Sequence, residues 1–219
     1  MGYIKPEIYQ SLCADKGIDI PKIFIETGTF KGGIPARMLD EDGTLEPFEK
    51  VWTIELGEDI CKIASRRFKL LEQGKVDPSI LHTDEMDENF NKVGSYCNDK
   101  LILVHGDSAI ELENLLSSIN EPCCFWLDAH GGADKYASSD EVPLMKELES
   151  IKNHHIKNHI IGIDDAHLFG KIQHNKQGDV VCDYSNLSYK TIEQKLLEIN
   201  SSYDIGVYAP YQMEMLLAI

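Results

Sequence analysis

Five short apolar runs, each followed by a stretch with helical periodicity, constrain this chain more than any other feature. They read KIFIET (22–27), VWTIEL (51–56), LILVHGD (101–107), CCFWLDA (123–129) and HIIGIDDA (159–166). Each is nearly continuous in β-branched, aromatic and other apolar residues, the pattern of a strand buried on both faces. The segments Gly33–Leu39, Asp59–Leu71, Ser108–Leu116, Val142–Ile151 and Ser188–Ile199 repeat apolar residues at steps of three and four, as helices do. Such alternation demands right-handed crossovers and a parallel sheet covered on both faces. The segment YDIGVYAPYQMEMLLAI (203–219) departs from it, reading as two strands joined by a tight turn near Pro210. With no helix between them these strands pair antiparallel. The expected fold is an α/β, doubly wound, Rossmann-like sheet of seven strands, mostly parallel, with an antiparallel C-terminal hairpin.

A chain of 219 residues can bury one substantial core, so a single domain over 1–219 is expected. Residues 74–100, GKVDPSILHTDEMDENFNKVGSYCNDK, interrupt the alternation with scattered charge and read as a surface insertion. No run approaches the roughly 18 apolar residues of a membrane helix, and the opening MGYIKPEIYQ lacks the apolar centre of a signal peptide. Pro6 stands where an N-myristoylation motif wants Ser or Thr. The expected location is the cytoplasm. The six cysteines, Cys13, Cys61, Cys97, Cys123, Cys124 and Cys182, include no CxxC pair, the pattern of reduced buried thiols. A net charge of -16 offers no field to attract nucleic acid or an anionic membrane, so the expected partner is a small-molecule substrate. Assembly into a homo-oligomer is left open.

The first run ends in FIETGTFKGG, Phe24 to Gly33. In a doubly wound sheet, ligands sit beyond the carboxyl ends of the strands where strand order reverses, and the first strand borders that crevice. Gly28 permits a sharp turn there, and Gly32 with Gly33 lets the following helix start close to a ligand. Glu55 ends the second run, 29 residues after Glu26, where an acid can accept two hydrogen bonds from a ribose diol. Asp107 ends the third, where it can meet an adenine amino group or simply cap the helix that begins at Ser108. A dinucleotide would want GxGxxG and a helix N-terminus facing its pyrophosphate. An acid just before the turn repels pyrophosphate and suits an ammonium group. The ligand so described joins a ribose, an adenine and a cationic amino-acid end.

These features make the chain resemble the class I S-adenosylmethionine-dependent methyltransferases over roughly residues 20–219. FIETGTFKGG is similar to their first motif, Glu55 to their ribose-binding acid, and the terminal hairpin to their last two strands. The resemblance implies that Glu26, Gly28 and Thr29 hold the methionine end of S-adenosylmethionine, Glu55 the ribose, and Asp107 with Ser108 the adenine. It also departs from the family, whose usual GxG is here Gly28-Thr29-Phe30.

A second constellation lies in FWLDAHGG and GIDDAHLFG. Asp128 and His130 end the fourth strand, and Asp164, Asp165 and His167 end the fifth. Clustered carboxylates repel one another unless a cation intervenes, and such oxygen donors suit Mg²⁺, Mn²⁺ or Ca²⁺. The arrangement resembles the metal-dependent sugar O-methyltransferases. That likeness implies a divalent metal, Mg or Mn, on Asp128, Asp164 and Asp165, with Asp128 also adjoining the cofactor. His130, where those enzymes carry aspartate, is expected to be the general base, with a nitrogen ligand that favours Mn²⁺ or Fe²⁺ as the alternative. His167 stands behind the ligands or merely starts a helix. The intervening GGADKYASSDEVP is either a substrate lid bearing Lys135 and Tyr136 or a plain loop. The implied reaction is O-methylation of a sugar, a polysaccharide precursor or a phosphoryl- or phosphoramidate-bearing metabolite. A metal-dependent hydrolase, a nicotinamide-dependent dehydrogenase and a non-catalytic nucleoside-binding module are the rival classes.

Overall fold

The computed structural model of the chain describes residues 4, 6–38, 48–73, 85–87, 100–130, 142–208 and 214–219. An N-terminal helix, α1 (Pro6–Lys16), leads into β1 (Ile23–Thr27), α2 (Gly33–Met38), β2 (Lys50–Glu55), α3 (Glu58–Glu72), β3 (Leu101–His105) and α4 (Ser108–Leu116). The chain continues through β4 (Cys123–Leu127), α5 (Leu144–Asn153), β5 (Ile160–Ile163), β6 (Ile172–His174), β7 (Val180–Asp183), α6 (Tyr189–Ile199), β8 (Ile205–Tyr208) and β9 (Met215–Ala218). Every expected strand and helix is present, with ends displaced by at most three residues. Helix α1 and the β6–β7 pair were not foreseen from the sequence. Helix α1 has only Pro6, Tyr9 and Cys13 buried, too thin an apolar stripe to stand out.

The main sheet runs β3-β2-β1-β4-β5-β9-β8, with β6 and β7 forming a separate antiparallel pair. Strands β1 to β5 pair in parallel, and β9 pairs antiparallel with both β5 and β8. The chain starts at the centre, moves outward to β3, then returns to β4 and grows the other way. Strand order therefore reverses between β1 and β4, the place where a doubly wound sheet leaves a crevice beyond its carboxyl ends.

Alternation along the strands divides the core into two layers. Cys123, Phe125 and Leu127 of β4 face the layer built with α4, α5 and α6, while Cys124 and Trp126 face Tyr9, Cys61 and Phe68 on the other side. Helix α1 is tied to the sheet by Tyr9, whose hydroxyl donates to the Phe125 carbonyl at 2.9 Å. Gly162 makes this packing possible, because a Cβ there would lie 2.8 Å from the Trp126 ring and 3.2 Å from the Tyr9 oxygen. Five cysteines are buried and free; Cys97 lies outside the described residues. Most of 74–100 and the turn at Pro210 also lie outside them, although Asp87 is buried against α3, accepting from Ser65 Oγ at 2.9 Å and Lys69 Nζ at 2.6 Å. Among the described residues no helix is long and apolar enough to cross a membrane.

At the opposite end of the sheet from the crevice, two histidines lock the amino ends of β4 and β5 together. The Cys123 N–H donates to His159 Nδ1 at 3.0 Å, so the proton of this neutral ring sits on Nε2 and points at His154 Nδ1, 3.0 Å away. His154 Nε2–H then donates to the Ile119 carbonyl at 2.9 Å. The relay is satisfied only while both rings are neutral. Burial, and then the neighbouring His154, push His159 down to about 3, and burial likewise lowers His154. A base lowered on folding binds fewer protons in the folded chain than in the unfolded one. Its stabilisation is complete above the ordinary histidine range and is lost as pH falls from about 6.5 toward 3, at up to about 1.4 kcal/mol per pH unit for one group. Urea unfolding between pH 6.5 and 4.5 should show a steeper loss of stability in the wild type than in His159→Gln; equal slopes would refute the relay.

Candidate functional site

At the end of β1 the backbone turns on three left-handed residues, Gly28, Phe30 and Gly32. Gly28 has φ +83°, and a Cβ there would lie 2.5 Å from the Asp128 carbonyl oxygen, so only glycine lets the tips of β1 and β4 touch. Phe30, which replaces the second glycine of the usual motif, still takes φ +47°. That conformation is uncommon for a bulky residue and is held by neighbours rather than preferred. The restraint is Glu55, whose Oε2 accepts the Phe30 N–H and whose Oε1 accepts the Gly57 N–H, both at 2.8 Å. The glycine-type path of the loop thus survives the loss of the glycine.

Glu26 lies behind this turn. It is 1 % exposed and accepts from the Thr53 hydroxyl at 2.6 Å, with the Thr29 hydroxyl 2.5 Å from Thr53 Oγ1. Burial raises its pKa well above the usual carboxylate range, against the pull of Thr53. The cleft itself, enclosing about 380 Å³ of space open to solvent, is lined by Gly28, Glu55, Gly106, Asp107, Ser108 and His130, together with Ile54, Leu56, Ala129 and Pro143. Of the cofactor-binding residues expected from the sequence, it gathers Gly28, Glu55, Asp107 and Ser108 from three successive strand ends. Glu26, Thr29 and Asp128 stand outside its lining. Asp107 also caps α4, accepting from the Ala109 N–H at 2.9 Å, so its two expected roles coexist at one position.

His130 closes the cleft on the β4 side and joins it to the acidic group. Its Nε2 lies 3.7 Å from Asp128 Oδ1 and 3.6 Å from Asp165 Oδ2. One donor atom from each of these three residues falls within 4.8 Å of the others, close enough to share one ion. Asp165 reaches in from a left-handed backbone, φ 53°. Phe30 and Asp165 are the only two non-glycine residues with positive φ among those described, and both stand at this site, where such strain tends to gather. Asp164 lies outside the trio. It is 5 % exposed with neither carboxylate oxygen hydrogen-bonded. Burial, then the charges of Asp164 and Asp165, raise Asp128 well above its usual range, and burial raises Asp164. His167 Nδ1 lies 3.9 Å from Asp165 Oδ1. Lys135 and Tyr136 are outside the described residues.

No family model matches the chain, and no curated protein sequence does. Solved structures do. The S-adenosylhomocysteine-bound methyltransferase PaMTH1 of Podospora anserina is similar with a TM-score of 0.50 over 97% of this chain and 76% of its own, at 14% identity. The methyltransferase domain of the bacterial protein CtHen1-C is similar with a TM-score of 0.50 over 97% and 96%, at 10% identity. At such identities the likeness concerns the fold alone. The chain has a Rossmann-like methyltransferase fold, as its sequence led us to expect.

Three functional candidates were not visible in the sequence. Glu147 of α5, Tyr184 after β7 and Cys182 in β7 all surround the acidic group; Glu147 and Tyr184 line a narrow cavity with Asp128, Asp164 and Asp165. Glu147 did leave a signal, since it shares the stripe of Leu144, Leu148 and Ile151, and an acid on an apolar stripe is carried inside. It is 1 % exposed, and neither of its oxygens makes a hydrogen bond of ordinary geometry. Burial pushes it up to about 7, with the hydroxyls of Ser108 and Thr27 pulling the other way. An acid raised on folding holds its proton longer in the folded chain, so its contribution is complete at low pH and is lost as pH rises through about 7. Relative to the wild type, Glu147→Gln should gain stability as pH rises from 5 to 7, by up to about 1.4 kcal/mol per pH unit in urea unfolding. A constant difference across that range would rule out the buried proton.

Proposed function

We propose that this chain is an S-adenosylmethionine-dependent O-methyltransferase that works with a divalent metal on a small polar acceptor. The observation that carries the reading is the double membership of His130, which lines the cleft and contributes to the Asp128–His130–Asp165 trio. Nucleoside pocket and cation site thus share a wall, as a reaction between a bound donor and a chelated acceptor requires. The donor set fits a cation, because three carboxyl groups, Asp128, Asp164 and Asp165, crowd one rim and two of them are raised by burial and mutual repulsion. The cleft fits the cofactor's adenosine, with an acid at the end of β2, a capped helix start after β3 and a bare turn after β1. PaMTH1, which shares the fold, was solved with S-adenosylhomocysteine bound.

When bound, the cofactor supplies a methyl group on a cationic sulfur, and the ion supplies a Lewis acid that lowers the pKa of an acceptor hydroxyl. The protein's own residues do the remaining work. Glu55, already oriented by two backbone N–H groups, accepts the ribose hydroxyls with its remaining lone pairs. Asp107 and Ser108 meet the adenine, and Gly28 keeps the turn open toward the methionine end. Glu26 and Thr29 act from behind by fixing that turn through Thr53. His130 fits the ligand role better than the base role, since Nε2 faces two carboxylates and the opposite nitrogen is 3.5 Å from Cys182 Sγ. A nitrogen donor favours Mn²⁺ over Mg²⁺. Asp164, buried in the narrow cavity beside Asp128 and Asp165 but outside the trio, is then the carboxylate placed to take the acceptor's proton.

Chelating acceptors are vicinal diols, hydroxy acids or phosphoryl compounds, so a sugar, a polysaccharide precursor or a phosphoryl- or phosphoramidate-bearing metabolite is the proposed substrate class. A dehydrogenase would show NADH binding in the same cleft, and a hydrolase would bind metal but no nucleoside. Calorimetry with S-adenosylhomocysteine separates these readings. The wild type should bind it, and Glu55→Ala should weaken binding by about 1–3 kcal/mol, leaving ribose hydroxyls and two N–H groups unpaired. Unchanged affinity would sink the assignment. Independently, Asp165→Asn should lower Mn²⁺ affinity at least about tenfold while S-adenosylhomocysteine still binds. Turnover that survives exhaustive chelation would exclude a catalytic ion.

A further inference from the structure

Between β5 and α6 the chain leaves the main sheet and forms the β6–β7 pair. Its outer residues Ile172 and Val180 are exposed, whereas Cys182 is wholly buried and faces inward. There its Sγ lies 3.5 Å from His130 Nδ1. The other ring nitrogen faces Asp128 Oδ1 and Asp165 Oδ2 at 3.7 and 3.6 Å. The two nitrogens of an imidazole point away from each other, so the sulfur stands on the side remote from the carboxylates and is not a ligand to the same ion. Its route to the ion is through the ring.

A neutral imidazole binds a cation through the nitrogen that carries no proton, and its proton then sits on the other nitrogen and needs an acceptor. If Nε2 faces the ion, Nδ1–H must be satisfied on the Cys182 side. We propose that Cys182 is a positioning residue for His130, accepting the Nδ1–H and thereby holding both the tautomer and the ring orientation in which Nε2 binds a divalent cation with Asp128 and Asp165. The proposal rests on the metal reading given above and adds a residue 52 positions away, on a hairpin outside the main sheet.

The choice of sulfur has a physical reason. Metal-binding histidines usually donate their second N–H to a carboxylate, a carbonyl or water. A carboxylate here would place a further negative charge beside Asp128, Asp164 and Asp165, in a chain already at -16. A thiol sulfur can accept the hydrogen bond without adding to that repulsion.

Mn²⁺ binding by calorimetry on the full chain, with S-adenosylhomocysteine binding measured in parallel, tests this. Cys182→Ala should weaken Mn²⁺ binding roughly 10- to 100-fold, the usual effect of losing a partner behind a metal-binding histidine. Cys182→Ser, which keeps an acceptor, should stay close to the wild type, and S-adenosylhomocysteine affinity should be unchanged in both. Should Cys182→Ala fail to bind S-adenosylhomocysteine, and so fail as a folded control, Cys182→Val fills the volume without offering an acceptor and should show the same Mn²⁺ loss. Nitrogen-15 spectra of the Zn²⁺-loaded protein give a second readout: the His130 ring should carry its proton on Nδ1 in the wild type and Cys182→Ser. Wild-type Mn²⁺ affinity in the variants without an acceptor, or an equal loss in Cys182→Ser, would overturn the positioning role alone. A wild type that binds S-adenosylhomocysteine but no Mn²⁺ would overturn the metal reading and this proposal with it.

Discussion

Residue-for-residue parallel pairing of β1 with β4, from Ile23 opposite Cys123 to Thr27 opposite Leu127, levels two strand ends far apart in sequence. The ladder then runs on past the strands. Asp128 N–H donates to the Thr27 carbonyl at 3.1 Å, and Asp164 N–H to the Leu127 carbonyl at 3.0 Å. On the other side, the N–H groups of Gly28 and Thr29 both donate to the Ile54 carbonyl. Gly28, Glu55, Asp128 and Asp164 are therefore held at one rim by backbone hydrogen bonds alone. The contact of Gly28 with the Asp128 carbonyl is the tightest point of that rim and leaves no room for a side chain.

An acidic rim of this kind must be kept from forcing the strand ends apart, and the acids divide by how they are satisfied. Glu26 is taken up by Thr53, Glu55 by two backbone N–H groups and Asp107 by the start of α4. These three hold the loops in place. Asp164 and Glu147 are buried without a hydrogen bond of ordinary geometry, and Asp128 is raised by burial and by its neighbours' charges. Groups left so costly in a folded chain call for a ligand or a proton.

Much of this was legible in the residues. Continuous apolar runs such as CCFWLDA could only be strands covered on both faces, and the absence of a helix before MLLA required the antiparallel end. The acid–turn–glycine pattern after β1 and the paired acids after β4 and β5 pointed to the rim that the fold assembles. What the sequence missed lacked periodicity. Ile172–His174 and Val180–Asp183 are too short to alternate, and Cys182 is one thiol among six. Glu147 left a signal only in its place on the apolar stripe of α5, and the groups around it come from other elements.

Sequence alone determined the order of the main-sheet strands and the helices between them, the topology they permit and the residue types at each strand end, because these follow from local periodicity and from the handedness of crossovers. Tertiary structure decided which of those residues share a site. Asp165, whose backbone is left-handed, joins Asp128 and His130 in the closest group, and Asp164 lines the cavity beside them. Glu26 retreats behind the turn, because Thr53 on the neighbouring strand offers it a buried partner. Cys182 meets His130 only because the hairpin folds back over the rim. These are contacts between residues remote in the chain, set by register and packing, and no local pattern encodes them.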